Sequence, residues 1–371
     1  MNSAEFMSVD LIRFAFVLGM ILSVYLYEKS HLTTGSIVVP GFLAIHIFEP
    51  WVILFTVLNA AVCFWLIHVL LPRFVLMQNS HKFYLLIVAS VLIHIFWRSL
   101  AVSNYGMSFA ANALMGFGYV IPGLIAHDMS RNGCLRTSVN VLFATHAIGI
   151  VLYFSVVVFP RGSLNLQEIE SFEYAFELPF ILALSTFGAI VLKSQTPIRS
   201  GGYITAAYVV FLGTSELTLV SILMAAVVTY WINVWLIMPN MIVFGRRKFS
   251  AMLIVGSLVM WAFCILVEGL GIGSPVLSHP AYAGIIMLLP GLIANDMQRA
   301  SLNRVIAGLG ILSGWVFAVA SLIYELRYFS RPDQIVPLAG ISIVLLLIIF
   351  LFTESEKQHS KHRLPAVDGH V

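Results

Sequence analysis

Apolar residues in this chain come in long uninterrupted runs, not in the alternating pattern of a half-buried strand. The runs cover 7–27, 35–49, 51–71, 82–102, 108–126, 137–159, 178–192, 201–215, 217–238, 249–270, 281–295, 305–327 and 335–352. Most approach the roughly 20 residues that a helix needs to cross a bilayer, about twice the length of a barrel strand. In lipid the backbone must satisfy its own hydrogen bonds, and a helix does so within one segment. The pattern predicts an all-α, polytopic integral membrane protein with about 12 to 13 apolar segments. Runs 35–49, 201–215 and 281–295 are short for a crossing and predict thin, broken or re-entrant helices.

The chain repeats itself. Pro122-Gly-Leu-Ile-Ala-His-Asp-Met-Ser-Arg131 recurs as Pro290-Gly-Leu-Ile-Ala-Asn-Asp-Met-Gln-Arg299, a shift of 168 positions that also carries Arg136 onto Arg304. Gly35-Ser-Ile lands near Gly202-Tyr-Ile, and Pro72 near Pro239. The expected organisation is a first membrane repeat over 1–165, a second over 166–330, and an extra transmembrane helix with a tail over 331–371. A fainter echo lies inside the first repeat, where Gly35 to Ala44, with Pro40-Gly41, resembles Gly118 to Ala126, with Pro122-Gly123. Three crossings apart, the two units face opposite ways, as in the inverted repeats of secondary transporters. The plainer account is that each Pro-Gly only ends or kinks a helix. In this register the second repeat keeps Pro290-Gly291 but has Ala207-Tyr208 in place of Pro40-Gly41.

Composition agrees with the pattern. The chain is 60% hydrophobic and 10% charged, with a mean hydropathy of +0.96, whereas soluble domains carry about 25% charged residues. The charges sort by loop. If every run crosses, one face receives Lys29, Arg73 with Lys82, Arg131 with Arg136, Lys193 with Arg199, Arg246-Arg247-Lys248, Arg299 with Arg304, and the basic tail. The other receives Glu49 and the acidic stretch from Glu168 to Glu177, with Arg161, Arg327 and Arg331 as exceptions. Cytoplasmic loops are enriched in Lys and Arg, so the N-terminus is expected outside and the C-terminus in the cytoplasm. Matched basic loops give both repeats the same orientation, and hence an even number of crossings each.

Candidate chemistry gathers at the Pro-Gly boxes. Proline removes a backbone donor and frees a carbonyl one turn earlier, which is tolerated at membrane depth only where protein or water covers it. Asp128 with Arg131, and Asp296 with Arg299, fall three residues apart on one helical face. Each pair reads either as a polar site at the cytoplasmic mouth or as a helix-end ion pair with anchoring arginines. Arg246-Arg247-Lys248 reads either as a dock for lipid phosphate, a polyanion or a partner or as a topology signal. Glu28, Glu216 and Glu268 lie near helix ends, where solvation is the simpler account. The histidines form no i, i+4 metal pair, the three cysteines suggest no disulfide framework, and no Walker loop, dinucleotide fingerprint or nucleophile elbow occurs. No metal, no cofactor, no catalytic residue and no nucleic-acid partner are expected.

At these boxes the chain resembles a known family. Phe244-Gly-Arg-Arg-Lys-Phe-Ser-Ala-Met-Leu-Ile-Val-Gly256, then Leu289-Pro-Gly-Leu-Ile-Ala-Asn295, and Val38-Val-Pro-Gly-Phe-Leu-Ala44 near the start are similar to the small membrane subunit of poly-γ-glutamate synthases, the CapC/PgsC family. Typical members are about half as long, so the family unit is present twice. The resemblance implies a non-catalytic subunit in the bacterial cytoplasmic (inner) membrane. It implies work beside a CapB/PgsB-type ATP-dependent amide ligase and other membrane subunits of the synthase, in polyglutamate (capsule) synthesis and export. Arg136, Arg304, Arg246, Arg247 and Lys248 then become cations that draw in the polyanion. Arg131 and Arg299 lie deeper, partly neutralised by Asp128 and Asp296. An independent secondary transporter for a small anion is the alternative. A membrane acyl- or amide-transferring enzyme is a third reading, with the box acid–base pairs as its only candidates.

Overall fold

The computed structural model describes residues 9–73, 79–103, 118–158, 178–195, 199–202, 204–212, 215–241, 244–272, 276–277 and 279–329. The expected last helix and tail, 331–371, and the acidic stretch 168–177 lie outside them. Among the described residues every regular element is helical.

The first repeat consists of α1 (Val9–Ser30), α2 (Val39–Ile45), α3 (Pro50–Phe64), α4 (Asn79–Ser103), α5 (Ile121–Asn132) and α6 (Cys134–Val158). The second repeats the order with α7 (Leu178–Gln195), α8 (Thr205–Leu212), α9 (Glu216–Trp231), α10 (Arg246–Gly269), α11 (Pro280–Ala300) and α12 (Leu302–Phe329). Among the described residues, six stretches are long and apolar enough to cross a bilayer: Val9–Ser30, Pro50–Arg73, Cys134–Ser155, Glu216–Asn240, Arg246–Gly269 and Leu302–Ser321. The 22 residues of α1 span roughly 33 Å at 1.5 Å per residue. The chain is therefore a polytopic α-helical membrane protein.

The duplication extends to irregularities. Both α3 and α9 run on into a wide π turn, Trp65–Leu70 and Ile232–Ile237. The break before α6 is made by Gly133 at φ +90° and that before α12 by Ser301 at φ +79°, equivalent positions under the 168-residue shift. Ahead of α2, Gly35 and Ser36 have φ of +76° and +139°; ahead of α8, Gly201 and Gly202 have +73° and +115°. These matched conformations set the local register at 166. Ala206-Ala207, not Ala207-Tyr208, therefore stand where Pro40-Gly41 do.

The short runs resolve into different structures. Residues 31–38 are non-helical and lead into the seven-residue α2, whereas 281–295 lies within the continuous 21-residue α11, with Pro290 inside it. α2 and α5 both carry Pro in their first turn, where the missing N–H costs nothing. Their directions differ. The end of α2 (Ala44, Ile45) packs with Ile12 and Ala15 near the start of α1. The end of α5 lies beside the chain that follows α1, since Asn132 Nδ2 donates to Thr33 Oγ1 at 2.8 Å. α2 and α5 therefore run oppositely.

The Pro-Gly glycines set the helix packing. A Cβ on Gly41 would stand 3.0 Å from the Ala15 oxygen in α1, one on Gly123 2.8 Å from the Leu86 oxygen in α4, and one on Gly291 2.7 Å from the Met252 oxygen in α10. Each of α2, α5 and α11 thus touches the backbone of the long helix before it. Serines one or two turns on complete each contact. Ser23 Oγ donates to the Ser36 oxygen at 3.2 Å, Ser90 Oγ to the Tyr119 oxygen at 2.7 Å, and Ser257 Oγ to the Met287 oxygen at 3.0 Å. Ser90 and Ser257 are equivalent residues of the two repeats. At α2 and α5 the carbonyls ahead of the helix start are satisfied this way, whereas in continuous α11 the serine adds a bond to a carbonyl within the helix.

Candidate functional site

The broken helices converge on a cavity of about 460 Å³ between the repeats. Its walls come from the segment before α2 (Ser36–Val38), the start of α5 (Gly118–Ile121), the segment before α8 (Gly202, Ile204), and α10 and α11. Phe42, Tyr208, Leu253, Ile285 and Leu288 make much of it apolar. Arg131, Arg246 and Arg299 line it together with Asp128 and His127. Three guanidiniums against one carboxylate give the cavity net positive charge. In a weakly polar enclosure that charge acts on an anion more strongly than it would in water.

Asp128 is 5% exposed, and the backbone N–H of Gly35 donates to its carboxylate. Gly35 can do so because its left-handed φ of +76° turns the amide inward; a Cβ there would stand 2.9 Å from the Ile125 and Val141 side chains. The Asp128 Oδ2 accepts no hydrogen bond, and Arg246 Nη2 stands 3.9 Å from it. Arg246 in turn lies over the Tyr27 ring, 4.2 Å from its centroid, a cation–π contact.

The pairing differs from the one expected within each box. The acids do not pair with the arginines three residues on. Asp128 faces Arg246 of the other repeat, and Asp296 Oδ1 lies 3.6 Å from Arg199 Nη1. Arg131 and Arg299 point instead to the cavity, both exposed at its rim. Arg136 and Arg304 are exposed and do not line it. The Arg-Arg-Lys box is divided. Arg246 enters the cavity, Arg247 makes a two-pronged ion pair with Glu28, and Lys248 is half-buried.

Two acids given to simple solvation have other roles. Glu28 ties α1 to α10 through Arg247. At the opposite ends of these antiparallel helices, Glu268 Oε1 lies 3.4 Å from Arg13 Nη2. Arg13 is 1% exposed; it also donates to Asp10 Oδ1 at 3.0 Å and to the Leu277 oxygen at 2.8 Å. Glu216 is exposed. Residue spacing gave no sign that Arg13 ties distant segments together, because Glu268 and Leu277 lie more than 250 positions away. His127 was visible only as one of the two variable positions of its box. Among the described residues no three His, Cys, Asp or Glu cluster as a metal site.

Comparison with known proteins bears on both repeats. The family model described as capsule biosynthesis CapC matches residues 18–138 and again 184–306. The PGA biosynthesis protein CapC of Bacillus subtilis (strain 168) is 28% identical over 153 residues, 41% of this chain and 98% of that protein. The capsule biosynthesis protein CapC of Bacillus anthracis is 28% identical over 155 residues, with the same coverage of each chain. No solved structure matches.

Proposed function

The chain belongs to the capsule biosynthesis CapC family, as a tandem duplication of its unit, and from that membership we propose that it is a non-catalytic membrane subunit of poly-γ-glutamate synthesis and export. In this reading it works in the bacterial inner membrane beside a cytoplasmic ATP-dependent amide ligase, with its N-terminus outside and its C-terminus in the cytoplasm. The relatives' names as PGA and capsule biosynthesis proteins support the pathway.

The observation that carries the reading is the convergence of Arg131, Arg246 and Arg299, from both repeats, on one cavity. Polyglutamate bears a carboxylate on every residue, and a cationic cavity at a helix break attracts and orients it. Asp128 lies among these cations, facing Arg246, whereas Asp296 pairs with Arg199, which does not line the cavity. Arg136 and Arg304 add to the positive face outside the cavity, and Arg247 and Lys248 lie where a partner's acidic surface would meet them.

Deleting the gene and measuring surface polyglutamate tests the proposal. Loss of polymer is expected, restored by the wild-type chain but not by an Arg131→Gln/Arg299→Gln variant present in the membrane at equal level. Unchanged surface polymer in the deletion strain overturns it. The oppositely directed α2 and α5 favour a second reading, an independent transporter for a small anion. Ion-coupled anion uptake into liposomes holding this protein alone would select that reading.

A further inference from the structure

The two repeats treat their equivalent aspartates differently. Gly35 corresponds to Gly201 by backbone conformation, so Thr33 corresponds to Arg199. In the second repeat Arg199 pairs with Asp296. In the first, the same place holds Thr33, whose hydroxyl accepts from Asn132. Asp128 thus lacks the equivalent ion pair, although the Arg131 charge acts on it from a distance, and its Oδ2 is buried and accepts no hydrogen bond, on a residue that lines the cavity. A carboxylate offers about four acceptor sites, and a buried one left open is costly. The nearby Arg246 at 3.9 Å is beyond hydrogen-bonding distance. Asp128 is therefore an acceptor awaiting a donor, set among arginines that await an anion.

We propose that the cavity recognises an amino-acid-type group, with Asp128 accepting from its ammonium and Arg131, Arg246 and Arg299 holding its carboxylates. The ligand class is the amino-terminal end of a γ-linked glutamate oligomer, in which the free amine and an α-carboxylate sit on one residue. This assignment rests on the polyglutamate reading and sharpens it. The arginines alone would accept any polyanion, whereas Asp128 rejects anions that lack a cationic donor. The divergence from Asp296, quenched by Arg199, confines this selectivity to the first repeat.

Isothermal titration of the purified full-length protein in nanodiscs tests the proposal, with γ-linked triglutamate and its N-acetylated form as probes. Acetylation removes the ammonium and leaves every carboxylate. Wild type is expected to bind the free-amine form about tenfold or more tightly, the scale of one charge-assisted hydrogen bond. The nearly isosteric Asp128→Asn should bring the two affinities within about twofold, and Asp296→Asn should keep the preference. Equal binding of both probes by wild type overturns the role of Asp128 while leaving the polyglutamate reading standing. A preference retained in Asp128→Asn also overturns it. Binding of neither probe removes the reading and this inference together. The wild-type comparison stands even if the variant fails to fold.

Discussion

Asp128, on α5 of the first repeat, faces Arg246 at the start of α10 in the second, with Oδ2 and Nη2 3.9 Å apart. The pair crosses the seam between the repeats at the cavity wall, so both copies contribute charge to one site. Charge at this seam therefore connects to function as well as to stability, and the following consequences are measurable.

Arg131→Gln and Arg299→Gln should each weaken binding of an anionic oligomer by about tenfold, the usual scale for one charge-assisted contact. Arg136→Gln and Arg304→Gln, exposed and outside the cavity, should change affinity by less than about threefold at physiological salt, where distant exposed charges are screened. Titrations of the four variants at a fixed salt concentration check this.

Gly123→Ala and Gly291→Ala should each destabilise the bundle by about 1–3 kcal/mol. Their new Cβ atoms would stand 2.8 Å and 2.7 Å from backbone oxygens of the neighbouring helix, which cannot rotate away. Gly310→Ala, where nothing lies within 4 Å, should be neutral or slightly stabilising. Thermal melts of the protein in detergent compare the three.

Ser90→Ala and Ser257→Ala should cost similar amounts, about 1–3 kcal/mol each, because each leaves a buried carbonyl without its donor. The Ser138→Ala control removes only a bond to a carbonyl one turn back in its own helix and should be nearly neutral. A large difference between Ser90 and Ser257 would contradict the equivalence of the repeats.

Arg13→Ala should destabilise by about 3 kcal/mol. It removes a buried cation from Asp10, Glu268 and the Leu277 oxygen at once and opens a cavity. Glu268→Gln should cost under about 1 kcal/mol, since Glu268 is 40% exposed and such pairs contribute little. Chemical or thermal denaturation checks the order.

Glu49 accepts from His46 Nδ1 at 3.1 Å, and that hydrogen bond, more than the nearby imidazole charge, holds its carboxyl below the ordinary glutamate range. A carboxyl depressed on folding stabilises above its unfolded pKa, and that stability is lost as pH falls through the folded one. Melting temperature should therefore drop in the acid range more steeply for wild type than for Glu49→Gln, with the two alike near neutrality in slope.

The sequence by itself determined the class of solvent, the number of repeats and the places of the helix breaks. Those are local properties: run length against bilayer thickness, a block recurring at fixed distance, and proline's missing N–H. It also gave Asp128, Arg131 and Arg299 as residues worth attention, since both copies keep the acid and the base. Which charge meets which was decided by the tertiary structure alone. Helical spacing put Asp128 with Arg131, but the fold brought Arg246 from the other repeat and sent Arg199, not Arg299, to Asp296. Arg13 and the serines under the broken helices were silent in the sequence for the same reason. Their partners, Asp10 apart, are carbonyls and acids set beside them only when the helices pack, and no pattern along one strand of chain records a contact made across two.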